Sequence, residues 1–206
     1  MRGEAGRVRR RAFLTGLGAL AVVGCGAGSS GKKTATATVP AAVKPGLPGA
    51  PDDDATLSYL LRIEHMQSDL YRVAAQTGFF KGRDLDTIKS FGDAEDQHVA
   101  DLEATLRQRK VKPPARPQAN FPLVRPESIL DIAVRIENLV AAAYLGQLGR
   151  IADRNLLGTL MTVHTVEARH AATLNLMRHK AVTPTGAFAR PENMATVLRI
   201  LDVYTA

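Results

Sequence analysis

From Asp52 onward, apolar residues recur with helical period in four long segments, each closed by glycine or proline, and again in one short segment near the end. The first predicted helix begins under the acidic cap Asp52-Asp53-Asp54 and runs to Gly78; the second runs from about Asp84 to Lys110. The third begins at Pro126-Glu127, a favourable first turn, and ends near Gly149, and the fourth runs from about Asp153 to His179. A short fifth helix starts at Pro191-Glu192, covers Val197, Leu198 and Leu201, and caps one end of the assembly. About five residues join the first helix to the second and about four join the third to the fourth, so both pairs are antiparallel hairpins. Between the hairpins lie about fifteen residues with Pro113, Pro114, Pro117 and Pro122. Extended, they span roughly 50 Å, more than the length of a helix of about 25 residues. The pattern predicts an all-α chain: a four-helix bundle with a long crossover between helices two and three.

The apolar stripes are broken at matching places. On the first helix the stripe of Leu57, Leu60, Leu61, Tyr71, Ala74 and Ala75 passes through Glu64. On the second, Leu85, Ile88, Phe91, Leu102 and Leu106 surround Glu95 and His98, an ExxH pair on one face. The third repeats the first, with Leu130, Ala133, Val140 and Leu148 around Glu137. The fourth repeats the second, with Leu160, Val163, Leu174 and Met177 around Glu167 and His170. Glu64 precedes Glu95 by 31 residues and Glu137 precedes Glu167 by 30, and each lone Glu is followed seven residues later by a tyrosine, Tyr71 or Tyr144. The chain is therefore a pseudo-twofold duplication.

Four carboxylates and two imidazoles in one core cost many kcal/mol if uncompensated, and no Arg or Lys sits at a matching position to neutralise them. Two divalent cations resolve the conflict. Oxygen-rich ligation with one imidazole per ion suits iron or manganese better than structural zinc. Tyr71 and Tyr144 lie two turns from their own Glu, placed to hydrogen-bond a ligand carboxylate from another helix or to serve as core aromatics; a redox-active tyrosyl is the weaker reading. His164 lies on the core face but outside the set, His65 and His179 fall off the stripe, and Asp69, Asp96 and Asp101 read as solvated or peripheral.

Composition changes the picture at the front of the chain. The net charge of +7 is concentrated there, with five Arg against one Glu in residues 1–24. The mild remainder, without basic runs or interleaved aromatics, gives no nucleic-acid footprint. One Cys excludes a disulfide scaffold, and no apolar run reaches transmembrane length. Arg10-Arg11-Ala12-Phe13-Leu14 precedes an apolar stretch ending in Val22-Val23-Gly24-Cys25. The arginine pair resembles a twin-arginine export signal and Val-Val-Gly-Cys resembles a lipoprotein lipobox, which implies cleavage before Cys25 and its acylation. Residues 26–51, rich in Gly, Ala, Ser, Thr, Pro and Lys, read as a flexible linker. The expected organisation is an export signal over 1–24, a lipidated Cys25 with its linker over 25–51, and a folded domain over 52–206. The resemblance places the protein outside the cytoplasm, tethered to the membrane at the outer face of the cytoplasmic membrane or in the cell envelope.

One Glu from each of two helices plus one ExxH from each of two others resembles the ligand set of ferritin-like di-iron and di-manganese carboxylate proteins, over roughly residues 53–180. The chain is most similar to bacterial exported ferritin-like domain proteins, several of them desiccation-related, which share a Phe-x-x-Pro tail like Phe188-Ala189-Arg190-Pro191. The resemblance implies a dinuclear iron or manganese site that oxidises metal ions or consumes dioxygen or peroxide, with Glu95 and Glu137, or their symmetric partners, as bridges. A bundle this small leaves little wall for a large organic substrate. The alternative is a non-catalytic envelope lipoprotein whose metal pair stabilises the bundle or sequesters metal. A ferritin-type cage fits a lipid anchor poorly, and the oligomeric state stays open.

Overall fold

The computed structural model describes residues 52–205. Arg10, Arg11 and Cys25, together with the export and linker segments, lie outside the described residues. Five helices account for the described chain: α1 (Asp53–Gln76), α2 (Gly82–Gln108), α3 (Pro126–Leu148), α4 (Arg154–Met177) and α5 (Met194–Leu201), followed by a 3-10 turn at Asp202–Tyr204. Among these residues there is no strand, only an isolated bridge between Ala119 and Thr205. The α1–α2 and α3–α4 hairpins pack along their lengths, and α1 meets α3 across the bundle.

Local chemistry sets the helix ends. The Asp52 carboxylate accepts from the Ala55 N–H at 2.9 Å, and Asp153 accepts from Asn155 and Leu156, satisfying donors that the first turn leaves free. Asp53, buried, accepts from the Ala152 and Asp153 N–H groups at 2.9 and 3.0 Å and so pins the start of α1 to the α3–α4 connection. Arg109, just past α2, bonds Asp54 at the same end. Not every helix closes on glycine or proline: Lys110 and His179 follow α2 and α4 with φ of 62° and 54°. There the chain turns back through Val111 N–H to Leu106 C=O and Lys180 N–H to Asn175 C=O, both 2.9 Å or less. That wrap satisfies late carbonyls and imposes the left-handed residue even without glycine.

The fifth helix starts three residues later than the Pro191-Glu192 signal suggests. The Glu192 N–H donates to the Ala142 carbonyl of α3 at 2.9 Å, which holds that segment extended, and Asn193 caps the helix by accepting from Thr196. The segment lies so close to α3 that a Cβ on Gly146 would stand 2.0 Å from the Glu192 carbonyl oxygen. The fifth helix therefore packs along α3.

The core is aliphatic, with Leu57, Leu60 and Leu61 of α1, Ile88 and Leu106 of α2, Ile129 and Val140 of α3 and Leu160 and Leu174 of α4 fully or almost fully buried. Each such side chain contributes roughly 1.5–3 kcal/mol relative to exposure. The first helix is buried on every side from Ile63 to Tyr71, because the crossover runs over its outer face. There Arg116 donates to both Asp69 oxygens at 3.0 and 3.1 Å and to the Ser68 hydroxyl at 2.7 Å. Asp69 is thus an ion-paired buried residue, not a solvated one, and His65 beneath the same strap is 3% exposed. The crossover also meets the C-terminal turn, through Asn120 N–H to Tyr204 C=O and the Phe121 and Tyr204 rings 5.4 Å apart.

Candidate metal centre

Four helices bring six side chains to one point: Glu64 from α1, Glu95 and His98 from α2, Glu137 from α3, Glu167 and His170 from α4. All four carboxylates have no exposed surface. Their donor atoms form two overlapping groups, Glu64, Glu95, His98 and Glu167, and Glu95, Glu137, Glu167 and His170, each with all atoms within 4.8 Å of one another. Glu95 and Glu167, the leading residue of each ExxH pair, belong to both groups, and Glu64 and Glu137 to one each; the sequence alone leaves open whether Glu95 and Glu137 or their symmetric partners are shared.

Each carboxylate has one oxygen held and one bare. The Tyr71 hydroxyl donates to Glu137 and the Tyr144 hydroxyl to Glu64, each reaching across to the other half of the chain. The Gln67 amide donates to Glu167 Oε2 at 2.9 Å, and Glu95 Oε2 lies 3.0 Å from His98 Nδ1. The opposite oxygens, Glu64 Oε2, Glu95 Oε1, Glu137 Oε2 and Glu167 Oε1, have no hydrogen-bond partner, nor has His170 Nδ1. Glu95 Oε1 and His170 Nδ1 approach to 2.9 Å without hydrogen-bond alignment. His98 Nδ1 likewise stands 3.1 Å from Glu167 Oε1 and 3.4 Å from Glu64 Oε2.

Such crowding sets the electrostatics. Burial, then repulsion from Glu167, pushes the Glu64 and Glu137 carboxyls well up and Glu95 up to about 7. Burial works against charge on His98, but the close approach of the Glu167, Glu64 and Glu95 carboxylates outweighs it and pushes the imidazole up to about 12. Burial also opposes charge on Glu167, whose carboxyl is nevertheless held low by the imidazole of His98 beside it and the amide donated by Gln67. Burial pushes His170 down. Burial and the facing carboxylates push both tyrosine hydroxyls up, so each remains a proton-bearing donor.

Bare, inward-facing carboxylate oxygens are costly in a dry core unless a cation meets them. Two divalent ions would balance the four carboxylate charges, and the mixture of hard oxygen donors with one imidazole per group fits iron or manganese. The six side chains can therefore hold metal.

The remaining candidates lie elsewhere. His164 is half-buried outside both groups, with its basicity lowered by burial. The buried His65 has Nε2 3.7 Å from Glu103, and His179 is exposed at the end of α4. Asp96 accepts from Ser68, and Asp101 accepts from Gln97. Two neighbours of the cluster carry no signal in the ligand pattern. Gln67, one turn after Glu64, holds Glu167. Phe91, one turn before Glu95, stacks on His170 with centroids 4.0 Å apart and planes 26° apart. Gln67 was legible as a second polar residue on an apolar stripe; the stacking of Phe91 was not.

Residues 52–180 match the family described as ferritin-like domain. No curated protein matches the sequence. The fold is similar to that in the crystal structure of a conserved hypothetical protein from Mycobacterium tuberculosis, with a TM-score of 0.55 and 19% identity over 68% of this chain and 95% of that one. The helical hairpins, the crossover and the match over more than half the sequence place this chain in the ferritin-like domain family.

Proposed function

We propose that this is an exported, lipid-anchored protein whose bundle holds a pair of iron or manganese ions and uses them in redox chemistry on dioxygen, peroxide or metal ions. The observation that carries the reading is the set of four buried carboxylates, each with one oxygen tied and one bare, gathered with two imidazoles in two overlapping groups. Glu95 and Glu167 would be shared between the ions, with Glu64 and His98 completing one position and Glu137 and His170 the other. An Fe(II) pair bound there supplies two electrons, the number that with two protons converts one peroxide to two waters.

The chain's own residues supply the rest. Tyr71, Tyr144 and Gln67 fix the carboxylates from behind, so that their free oxygens keep one direction without reorganisation. The tyrosine hydroxyls keep their protons, and the aliphatic shell excludes bulk water. Export and anchoring rest on Arg10-Arg11 and the Val-Val-Gly-Cys25 sequence.

The test is the metal content of the purified chain after anaerobic Fe(II) or Mn(II) loading, followed by repeated oxygen or peroxide consumption. Close to two ions per chain and multiple turnovers are expected, and both are lost in Glu95→Ala with helicity retained. A protein that binds two ions and unfolds on chelation without ever turning over is a structural or sequestering bundle. A stable protein that takes up no metal sinks the reading.

A further inference from the structure

The duplication is faithful at the ligands and broken just outside them. Advancing α2 by 72 residues places Glu95 and His98 on Glu167 and His170, and the same step places Phe91 on Val163 and Asp101 on Thr173. Phe91 stacks flat on His170. The equivalent position over His98 holds the much smaller Val163, and a cavity of about 160 Å³ opens there between α2 and α4, lined by His98, Val163, Asp101, Thr159 and Thr162. That volume has room for several waters at about 30 Å³ each.

The same place on the other half confirms what the substitution does. A depression of about 400 Å³ lies at Thr87, Ser90 and Thr173, the counterparts of Thr159, Thr162 and Asp101, but its floor is Phe91 and His170 is not among its lining residues. The two imidazoles keep similarly small exposure, 8% for His98 and 6% for His170. What differs is what stands over them. Asp101 is the one carboxylate lining the open side, at the place where the closed side carries Thr173; the closed depression has Arg83 and Asp86 together at its own edge, an acid offset by a base.

We propose that the α2–α4 cleft over His98 is the route by which divalent cations reach the core, so that the position bounded by Glu64 and His98 fills and exchanges before the one bounded by Glu137 and His170. Asp101 raises the local concentration of cations, threonine hydroxyls replace lost waters of hydration, and His98 is the first donor met inside. Phe91 closes the symmetric route. The inference rests on the dinuclear reading above and deepens it.

Stopped-flow loading of the metal-free protein with Co(II), followed by visible absorption, tests the order without any turnover. Wild type is expected to load in two phases and bind two Co(II) per chain. Glu64→Gln should remove the fast phase and Glu137→Gln the slow one. Val163→Phe should slow the fast phase by at least about tenfold without changing the final amount bound, and Phe91→Val should accelerate the slow phase by a similar factor. Asp101→Asn should slow loading a few-fold and flatten its salt dependence. Circular dichroism checks each variant, and if Val163→Phe fails to fold, Phe91→Val and Asp101→Asn decide. Two Co(II) bound with wild-type kinetics in these variants would overturn the route and leave the metal reading intact. No Co(II) bound by wild type would overturn both.

Discussion

Asp69 on α1 and Ala142 on α3 occupy equivalent places in the duplication, 73 residues apart like Glu64 and Glu137, yet the two surfaces are covered by unrelated means. Over α1 the crossover supplies a guanidinium, and Arg116 ties Asp69 and Ser68. Over α3 the tail supplies backbone: the Glu192 N–H bonds the Ala142 carbonyl, and Gly146 gives the room. The counterpart of Gly146 on α1 is Val73, whose side chain is 37% exposed. Inward, each half presents one Glu, one ExxH and one tyrosine, because each metal position would need the same donors. Outward, the only demand is to cover a helix, which a charge pair and a glycine contact both meet. Symmetry is kept where the chemistry of the core fixes residue type and lost where it does not.

The sharpest way to break the comparison is at the ligands. Glu95→Ala removes a carboxylate common to both groups and is expected to take bound metal from two ions per chain to none, whereas Glu64→Ala removes a donor of one group and leaves one. Elemental mass spectrometry distinguishes them. At free metal 100-fold above Kd, loss of binding also removes about 2.7 kcal/mol of stabilisation per site, so Glu95→Ala should lose about twice what Glu64→Ala loses.

Next in size is the glycine contact. Gly146→Ala puts a methyl where the Glu192 carbonyl stands and should cost about 2 kcal/mol in urea unfolding, while loosening the tail. Unchanged stability together with an unchanged rate of proteolysis after Arg190 would contradict the close approach.

The charge pair is smaller and depends on pH. Burial works against charge on Asp69, but hydrogen bonds from Arg116 and Arg72 outweigh it and hold the carboxyl below its usual range. A lowered carboxyl contributes stability that is full above the ordinary aspartate range, about pH 4, and is lost as the pH falls through the folded-state value. Arg116 is partly exposed, so Arg116→Ala should cost about 1 kcal/mol at neutral pH. The gap from wild type should close in acid, and Gly146→Ala should show no such closure. A gap that persists below pH 3 would place the strap's contribution elsewhere.

The smallest effect concerns the helix ends. His179→Gly and Lys110→Gly relieve a left-handed side chain at the ends of α4 and α2 and should raise stability by up to about 1 kcal/mol each, readable as a shift in Tm.

Much of this molecule was legible because helix formation is local. The period of Leu57, Leu60 and Leu61, the caps at Asp52 and Asp153, and the short hairpin connections fix four helices and their pairing within a few residues. A carboxylate on an apolar stripe is likewise visible without a fold, which is how Glu64, Glu95, Glu137 and Glu167 stand out beside His98 and His170. What the sequence could not carry depends on atoms that meet only across the chain. The late start of α5 is decided by a carbonyl about fifty residues away, on Ala142. The burial of His65 and Asp69 is decided by where the crossover lies. The pairing of each tyrosine with the opposite half, the sharing of Glu95 and Glu167, and the cover of Phe91 over His170 against the opening beside Val163 all follow from helix packing. Sequence determined which residues the core would have to reconcile, because propensity and amphipathic period act over a few turns. Tertiary structure decided which oxygen faces which neighbour, because hydrogen bonding and packing act over a few ångströms between residues far apart in the chain.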